Sequence, residues 1–353
     1  MDPVDEAVAL HEQALSMWDD HRYPQTADLC RRALDLLEAH AGAYAGSADV
    51  ANVLTLLGSA EDELGRHGPA EARHRRAVAL MSALPASATR TGDLLRLRVQ
   101  AEVGLAGCLR RQGRYAEAER VYRTALATAA PRWSELELVP IRNELGILYK
   151  YAGRLDEAQA CYEAALRAVP DPGHPALAAV WHNLAGLAHS RGAPVEGEAY
   201  ARRSLALHRA AYPPDHPAVV ADEAHLGALL QAAGRPDEAE PLLRRAIDYF
   251  TARHGPDHVD VLTAVHNLAA VHADRGARAE AERLYHRALA GKRRAFGPDH
   301  PEVALTLNNL AALSADPAEA RALATEAHRI LEPRVTPDHP VLRSLTTYLG
   351  AAA

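Results

Sequence analysis

The residues of this chain with the most chemical potential are its recurrent histidines. Asp215-His216, Asp257-His258 and Asp299-His300 lie 42 residues apart; Gly173-His174 lies 42 before the first of them, and Asp338-His339 follows 39 after the last. A carboxylate beside an imidazole can work as an acid–base pair or offer a metal two ligands. Zinc, however, needs ligand atoms that converge to about 2 Å from the ion. Equivalent residues of successive two-helix units are separated by helix layers about 8–10 Å apart. His174, His216, His258, His300 and His339 therefore form a row and do not converge on one ion. Neither H-E-x-x-H nor G-x-x-x-x-G-K-[ST] occurs, so the zincin and phosphate-loop readings lack their motifs. No metal and no other cofactor is expected.

The pairs read better as punctuation. In GPDHPEVALTLNNLAAL (297–313), Asp299 stands where an apolar helical run begins. An Asp there accepts from the orphan N–H groups of the first turn, Pro301 suits a first-turn position, and Glu302 falls at capping-box spacing. The spacing predicts Asp299 as a helix N-cap, with Asp257 and Asp260 repeating the arrangement, and the histidine packed over the preceding unit or bonded to a loop carbonyl.

A second landmark alternates with the first. It reads GRYAEAERVYRTAL (113–126), GRLDEAQACYEAAL (153–166), GRPDEAEPLLRRAI (234–247) and GARAEAERLYHRAL (276–289). Twelve residues after each turn stands a small residue, giving the column Ala33, Ala77, Ala125, Ala165, Ser204, Ala246, Ala288 and Ala327; the turns are His21, Gly65, Gly113, Gly153, Gly192, Gly234, Gly276 and Ala315. Apolar residues at i, i+3, i+4 and i+7 on both sides of each turn predict two helices per unit, here called A and B. Around Gly234, A covers roughly 216–233 and B roughly 236–253. The glycine is expected just past the end of A at positive φ, where a Cβ is unfavourable, and the small residue lets a neighbouring helix approach. Eight such units fill 353 residues and leave no room for a second domain.

On these landmarks the chain resembles the tetratricopeptide repeat family, and its 42-residue period resembles the kinesin-light-chain-like subclass. The resemblance implies an all-α fold, a right-handed α-α superhelix of about eight helix-turn-helix repeats in one domain spanning 1–353. The first repeats (1–95) diverge in spacing, 96–313 are regular, and 314–353 form a shortened, capping repeat.

The resemblance also implies that helix A lines the concave face. Aligned on Leu145, Leu184, Leu226, Leu268 and Leu310, the preceding residues are Glu144, Asn183, His225, Asn267 and Asn309; those before them are Asn143, His182, Ala224, His266 and Asn308. Helix interiors gain nothing intrinsic from Asn or His, so a fixed phase of polar residues suggests a shared surface. Asparagine amides can bond the backbone of an extended peptide, having both donor and acceptor; alternatively they bond between neighbouring helices and hold the stack. Gly186, Ala228, Ala270 and Ala312, one turn later, leave room for a bound chain. Lys150 stands beside Asn143, with His189 and Gln231 in the equivalent places. The Lys/Arg pattern with which some relatives clamp a carboxyl terminus is not present.

Composition narrows the function classes. The net charge is −7 without a basic stripe, which disfavours nucleic acid. No apolar stretch of membrane-spanning length occurs, and the start MDPVDEAVALHEQAL does not read as a signal peptide. Three cysteines without C-x-x-C spacing suit a reduced, cytoplasmic protein. The sequence is thus expected to encode a non-catalytic scaffold or adaptor that binds a protein or peptide partner through Asn143, Glu144, Lys150, His182, Asn183, His225, His266, Asn267, Asn308 and Asn309. The alternative is a regulatory peptide or ligand sensor that acts through a partner effector. An enzyme with its site in the groove is more remote, Glu144 with His182 being its only acid–base candidate.

Overall fold

The computed structural model describes residues 2–40, 47–84 and 92–351; positions 41–46 and 85–91 of the divergent first segment lie outside the described residues. Among the described residues there are seventeen α-helices and no strand. Eight A–B pairs run in order: α1 (Pro3–Asp19) with α2 (Tyr23–Ala39), α3 (Ala48–Glu63) with α4 (His67–Ala83), α5 (Gly92–Arg111) with α6 (Tyr115–Ala129), α7 (Val139–Tyr151) with α8 (Leu155–Ala168), α9 (Ala178–Ser190) with α10 (Pro194–Ala211), α11 (Pro217–Ala232) with α12 (Pro236–His254), α13 (Val259–Asp274) with α14 (Arg278–Phe296), and α15 (Pro301–Leu313) with α16 (Pro317–Leu331). A last helix, α17 (Pro340–Ala351), follows the eighth pair. The chain divides into two compact units, Met1–Ile141 and Arg142–Ala353.

The turns form as the glycines predict. Gly65, Gly113, Gly153, Gly192, Gly234 and Gly276 all have φ between 70° and 83°. The next residue's N–H reaches back to the end of helix A, as Arg235 to Leu230 O and Arg114 to Leu109 O, both closing the helix in a Schellman pattern. His21 takes the same conformation without being glycine, at φ 56°. The eighth turn departs from the set: α15 ends on an extended Ser314, and Asp316 caps α16 by accepting from Ala318 N.

Every member of the small-residue column, from Ala33 to Ala327, has 0% of its surface exposed. Methyl-sized side chains let the helices close to contact, and aromatic rings then pack onto glycines of helix A. In the second unit Tyr162 lies so close over Gly146 that a Cβ there would meet its ring at 2.4 Å, and in the first His74 fills the space above both Gly58 and Gly104. The Gly-Arg turns add a polar brace: Arg235 bonds Glu238 of its own repeat and Glu198 of the repeat before, as Arg114 does with Glu117 and Glu71.

The Asp-His turns correct the expectation about which residue caps. The N-cap is the histidine: Nδ1 of His216, His258 and His300 accepts from the N–H two residues on, at 3.1–3.4 Å. The ring lies on an aromatic at the end of the preceding helix B, Tyr212 under His216 (3.8 Å between centroids), His254 under His258 (4.4 Å) and Phe296 under His300 (4.5 Å). The aspartate points the other way, to an arginine of its own helix B: Asp215 to Arg245, Asp257 to Arg294, Asp299 to Arg329. An imidazole wins the cap because it can stack and accept at once, whereas an Asp at that place would bury a charge on an aromatic ring.

One contact joins distant parts of the second unit. Thr336 donates its N–H to Ala152 O at 2.9 Å and its hydroxyl to the same oxygen at 3.2 Å. A Cβ on Gly153 would lie 2.8 Å from His339 Cβ.

Two stability predictions follow from the turns. Gly276 has φ +73° and open space around its missing Cβ, so Gly276→Val should cost only backbone strain, about 1–2 kcal/mol. Gly153→Val adds a clash and should cost more; equal urea midpoints for the two variants would contradict this. His300→Ala should lose about 1 kcal/mol from the cap plus its aromatic contact, and Asp299→Ala, which removes only an exposed ion pair, should cost less; the reverse order in denaturation would restore Asp299 as the cap.

Candidate functional site

In the second unit, α9 touches α11 and α11 touches α13, whereas successive B helices make no comparable contact. A stack whose A helices approach more closely than its B helices must curve with A inside. The polar columns lie on these A helices and meet across repeats by one rule. The residue just before the aligned leucine approaches the residue two before the leucine of the preceding repeat. Asn183 Nδ2 donates to Asn143 Oδ1 at 3.0 Å. The rings of His225 and His182 lie 4.4 Å apart. Asn309 Nδ2 meets His266 Nε2 at 3.1 Å and also donates to the Tyr285 hydroxyl at 3.2 Å. Asn308 Nδ2 donates to Asn309 Oδ1 at 3.4 Å.

The remaining rung is missing. Asn267 should meet position 224, but Ala224 has no polar group. Asn267 is half-buried and, among the described residues, its amide has no hydrogen-bond partner. By this rule Asn143, Asn183, His266 and Asn309 are tied into inter-repeat bonds, while Asn267 is left with its amide unbonded to protein.

A second rule runs beside the first. His182 Nδ1 bonds Asp222 Oδ1 at 2.7 Å, and His266 Nδ1 bonds Thr306 Oγ1 at 3.1 Å, the same relation two repeats apart. Asp222, 1% exposed, also accepts from the Ser204 hydroxyl at 2.7 Å and bonds His208 Nδ1 at 2.8 Å. Burial, the largest single effect, pushes its carboxyl up, but the histidine and serine bonds and the His182 charge together outweigh it and hold the carboxyl below its ordinary value. The carboxylate partner of His182 is therefore Asp222, not Glu144. Sequence reasoning missed Asp222 and Thr306; their signal was a column of Val180, Asp222, Ala264 and Thr306, polar in every second repeat.

Lys150, His189 and His225 gather around Gly186. A Cβ at Gly186 would meet Lys150 Nζ at 3.0 Å and His225 Cε1 at 3.3 Å. Nδ1 of His225 is enclosed without a partner. Burial holds the His225 imidazole well below its ordinary value, and the charges of His182, Lys150 and His189 add to the effect. His189 is lowered by desolvation and then by Lys150, although its side chain reaches solvent, as expected for a ring on a concave wall. On α14, Lys292, 2% exposed, bonds Glu302 at 2.8 Å, and that carboxyl falls to about 2 despite burial. Among the described residues, no three His, Cys, Asp or Glu side chains are placed to hold a metal ion, and no helix is long and apolar enough to cross a membrane.

The family model for the tetratricopeptide repeat matches five overlapping segments that together run from 97 to 333. The chain belongs to the tetratricopeptide repeat family. No curated protein matches it. Among solved structures, this tetratricopeptide repeat chain is similar to the Rap conjugation gene regulator of plasmid pLS20 in complex with the Phr* peptide, at 15% identity over 81% of this chain and 73% of that one, with a TM-score of 0.64. It is similar to the apo form of RapI at 14% identity over 82% and 98% of the two chains, with a TM-score of 0.61. The nearly identical repeats of a Podosopora anserina kinesin light chain match at 24% identity over 56% of this chain and 96% of that one, with a TM-score of 0.42. At such identities the likeness to the Rap structures shows the fold.

The tetratricopeptide repeat chain has a predictable acid response. His266 is pushed down to about 3, by burial first and by the Lys292 charge next; burial also takes His74 and His339 to about 4. The unfolded chain binds protons at these groups as pH falls through about 6.5 while the folded chain does not, so stability is complete above that value and is lost below it, at up to about 1.4 kcal/mol per proton per pH unit. Melting temperature should fall between pH 7 and pH 5, and His266→Gln should flatten the slope. An unchanged melting temperature over that range would contradict the buried neutral histidines.

Proposed function

We propose that this chain is a non-catalytic interaction protein whose inner, helix-A face binds an extended peptide segment of a partner. The observation that carries the reading is Asn267. Among the described residues its amide has no protein partner; it is open to solvent, and it sits where the otherwise regular ladder skips a rung. An extended peptide backbone can supply the acceptor and donor that Ala224 lacks. Ala228 and Ala270 flank the place with small side chains, which suits a chain lying across the helices. The Phr* complex of the similarly folded pLS20 regulator supports a peptide as the ligand class, and it is the reason to keep a peptide-responsive regulator as the second reading. Such a regulator would act through a partner. Glu144, Lys150, His182, His225 and Asn308 would complete the peptide-facing wall, with Asn143, Asn183, His266 and Asn309 holding its geometry.

The test is selection from a displayed random-peptide library followed by affinity measurement with single variants. Asn267→Ala should weaken a selected peptide by about tenfold, the worth of one hydrogen bond to a half-buried group, with melting temperature unchanged. Asn183→Ala should instead lower the melting temperature. Failure to enrich any peptide, or equal binding by Asn267→Ala, would sink the reading.

A further inference from the structure

The last of the histidine turns breaks the rule that the others keep. His174, His216, His258 and His300 each cap the helical turn that follows through Nδ1. His339 does not: its Nδ1 is buried and has no partner among the described residues. The stacking aromatic is gone as well. Tyr212, His254 and Phe296 stand four residues before their capping histidines, and Val335 holds that place before His339.

This turn is put to another use. Thr336-Pro337-Asp338-His339 closes on a bond from His339 N–H to Thr336 O at 2.9 Å, with proline at the second place, where its fixed φ fits. Thr336 stands where the equivalent turns have Pro213, Gly255 and Gly297, and it alone of these can hold Ala152 O through both an N–H and a hydroxyl. The receiving turn is adapted to match. Gly192, Gly234 and Gly276 are exposed, with open space where a Cβ would be; Gly153 is buried, and a Cβ on it would come within 3 Å of His339 Cα, His339 Cβ and Thr336 Oγ1. A hydroxyl donor, one carbonyl and a glycine without clearance thus meet across 184 residues.

The seam is small. Its two hydrogen bonds share one acceptor, and the His339 ring gives up hydration at Nδ1 without gaining a bond, which is unfavourable. Burial alone lowers that imidazole, to about 4. No charge offsets the burial, although Arg154, Arg191 and Arg343 stand on the elements that meet here, and Glu332, Arg334 and Asp338 on the strap (332–339) that links α16 to α17.

We propose that the Thr336–His339 turn is an acid-released clasp on the second unit: shut near neutral pH, it ties the strap to the turn between α7 and α8, and protonation of His339 lets it go. The sign follows from linkage. In the open clasp the ring has an ordinary midpoint of about 6.5; in the shut clasp it resists protonation. Closure is therefore fully present above about 6.5, and acid shifts the balance toward the open form by about twentyfold between pH 7 and pH 5. Two hydrogen bonds, each worth about fivefold net, make a contact of the size that such a shift undoes. Once the clasp is released, the curvature of the second unit rests on its repeat interfaces alone.

Amide hydrogen exchange of the full chain tests the clasp, with Thr336 as reporter and Ala246, in the sealed column, as reference. Protection at Thr336, corrected for intrinsic exchange, should fall about twentyfold from pH 7 to pH 5 and stay below that of Ala246 at both. His339→Gln, which cannot take up the proton, should remove the fall. Gly153→Ala should lower protection at Thr336 by about tenfold or more already at pH 7, because the added methyl meets the strap. Gly276→Ala, the same backbone strain in open space, should leave it unchanged. The proposal is overturned if Thr336 keeps its protection at pH 5, if it only matches Ala246 at both pH values, if His339→Gln shows the same fall, or if the two glycine variants agree. No ligand enters the experiment, so its outcome is independent of the peptide reading.

Discussion

Close approach between helices at methyl-sized side chains is the constraint on which the structure depends. Eight residues, one per repeat, are sealed completely, and seven of them are alanine. Dispersion contacts weaken steeply with distance, so an extra methylene anywhere in that column would open a gap along a whole helix pair. The eighth member, Ser204, shows what a polar atom at such a place requires. Its hydroxyl donates within hydrogen-bond distance to both Ala178 O and Asp222. Asp222 in turn fixes His182, and His182 lies against His225. A single oxygen in the most tightly packed column is thereby connected, through three side chains, to the inner wall.

That chain of contacts explains why the inner wall is not uniform. Where the polar columns meet polar partners, they form a ladder that rigidifies the stack. Where Ala224 interrupts them, an amide is left over, and around Gly186 imidazoles and an ammonium gather. The same set of side chains thus serves two purposes, holding the repeats in register and lining the inner face with polar groups. Which purpose a residue serves depends on its partner 40 to 43 positions away, not on its own type.

Much of this was legible in the sequence. Turn glycines, helix bounds and the sealed column follow from spacing alone, because a φ near +70° and a zero-clearance contact each admit few residue types. The capping of helix A was not legible, because Asp and His stand side by side and both can accept from a free N–H. Only the aromatic at the end of the preceding helix decides between them. The polar columns were legible as columns, Ala224 included. Their pairing rule was not, since it depends on how far successive A helices slide past one another. Asp222 went unread because, taken singly, it looks like one more charged residue on a helix.

The Thr336–Ala152 bond has a consequence for how the second unit comes apart. In a linear array each repeat answers only to its neighbours, and the terminal one, held on a single side, frays first. Here the segment after the last helix pair is also fastened to a turn 184 residues earlier. Such a contact forms late, because the loop it closes is long, but once formed it denies the array a loose end. Repeats Arg142 onward should therefore open together as one block instead of peeling from the C-terminal side.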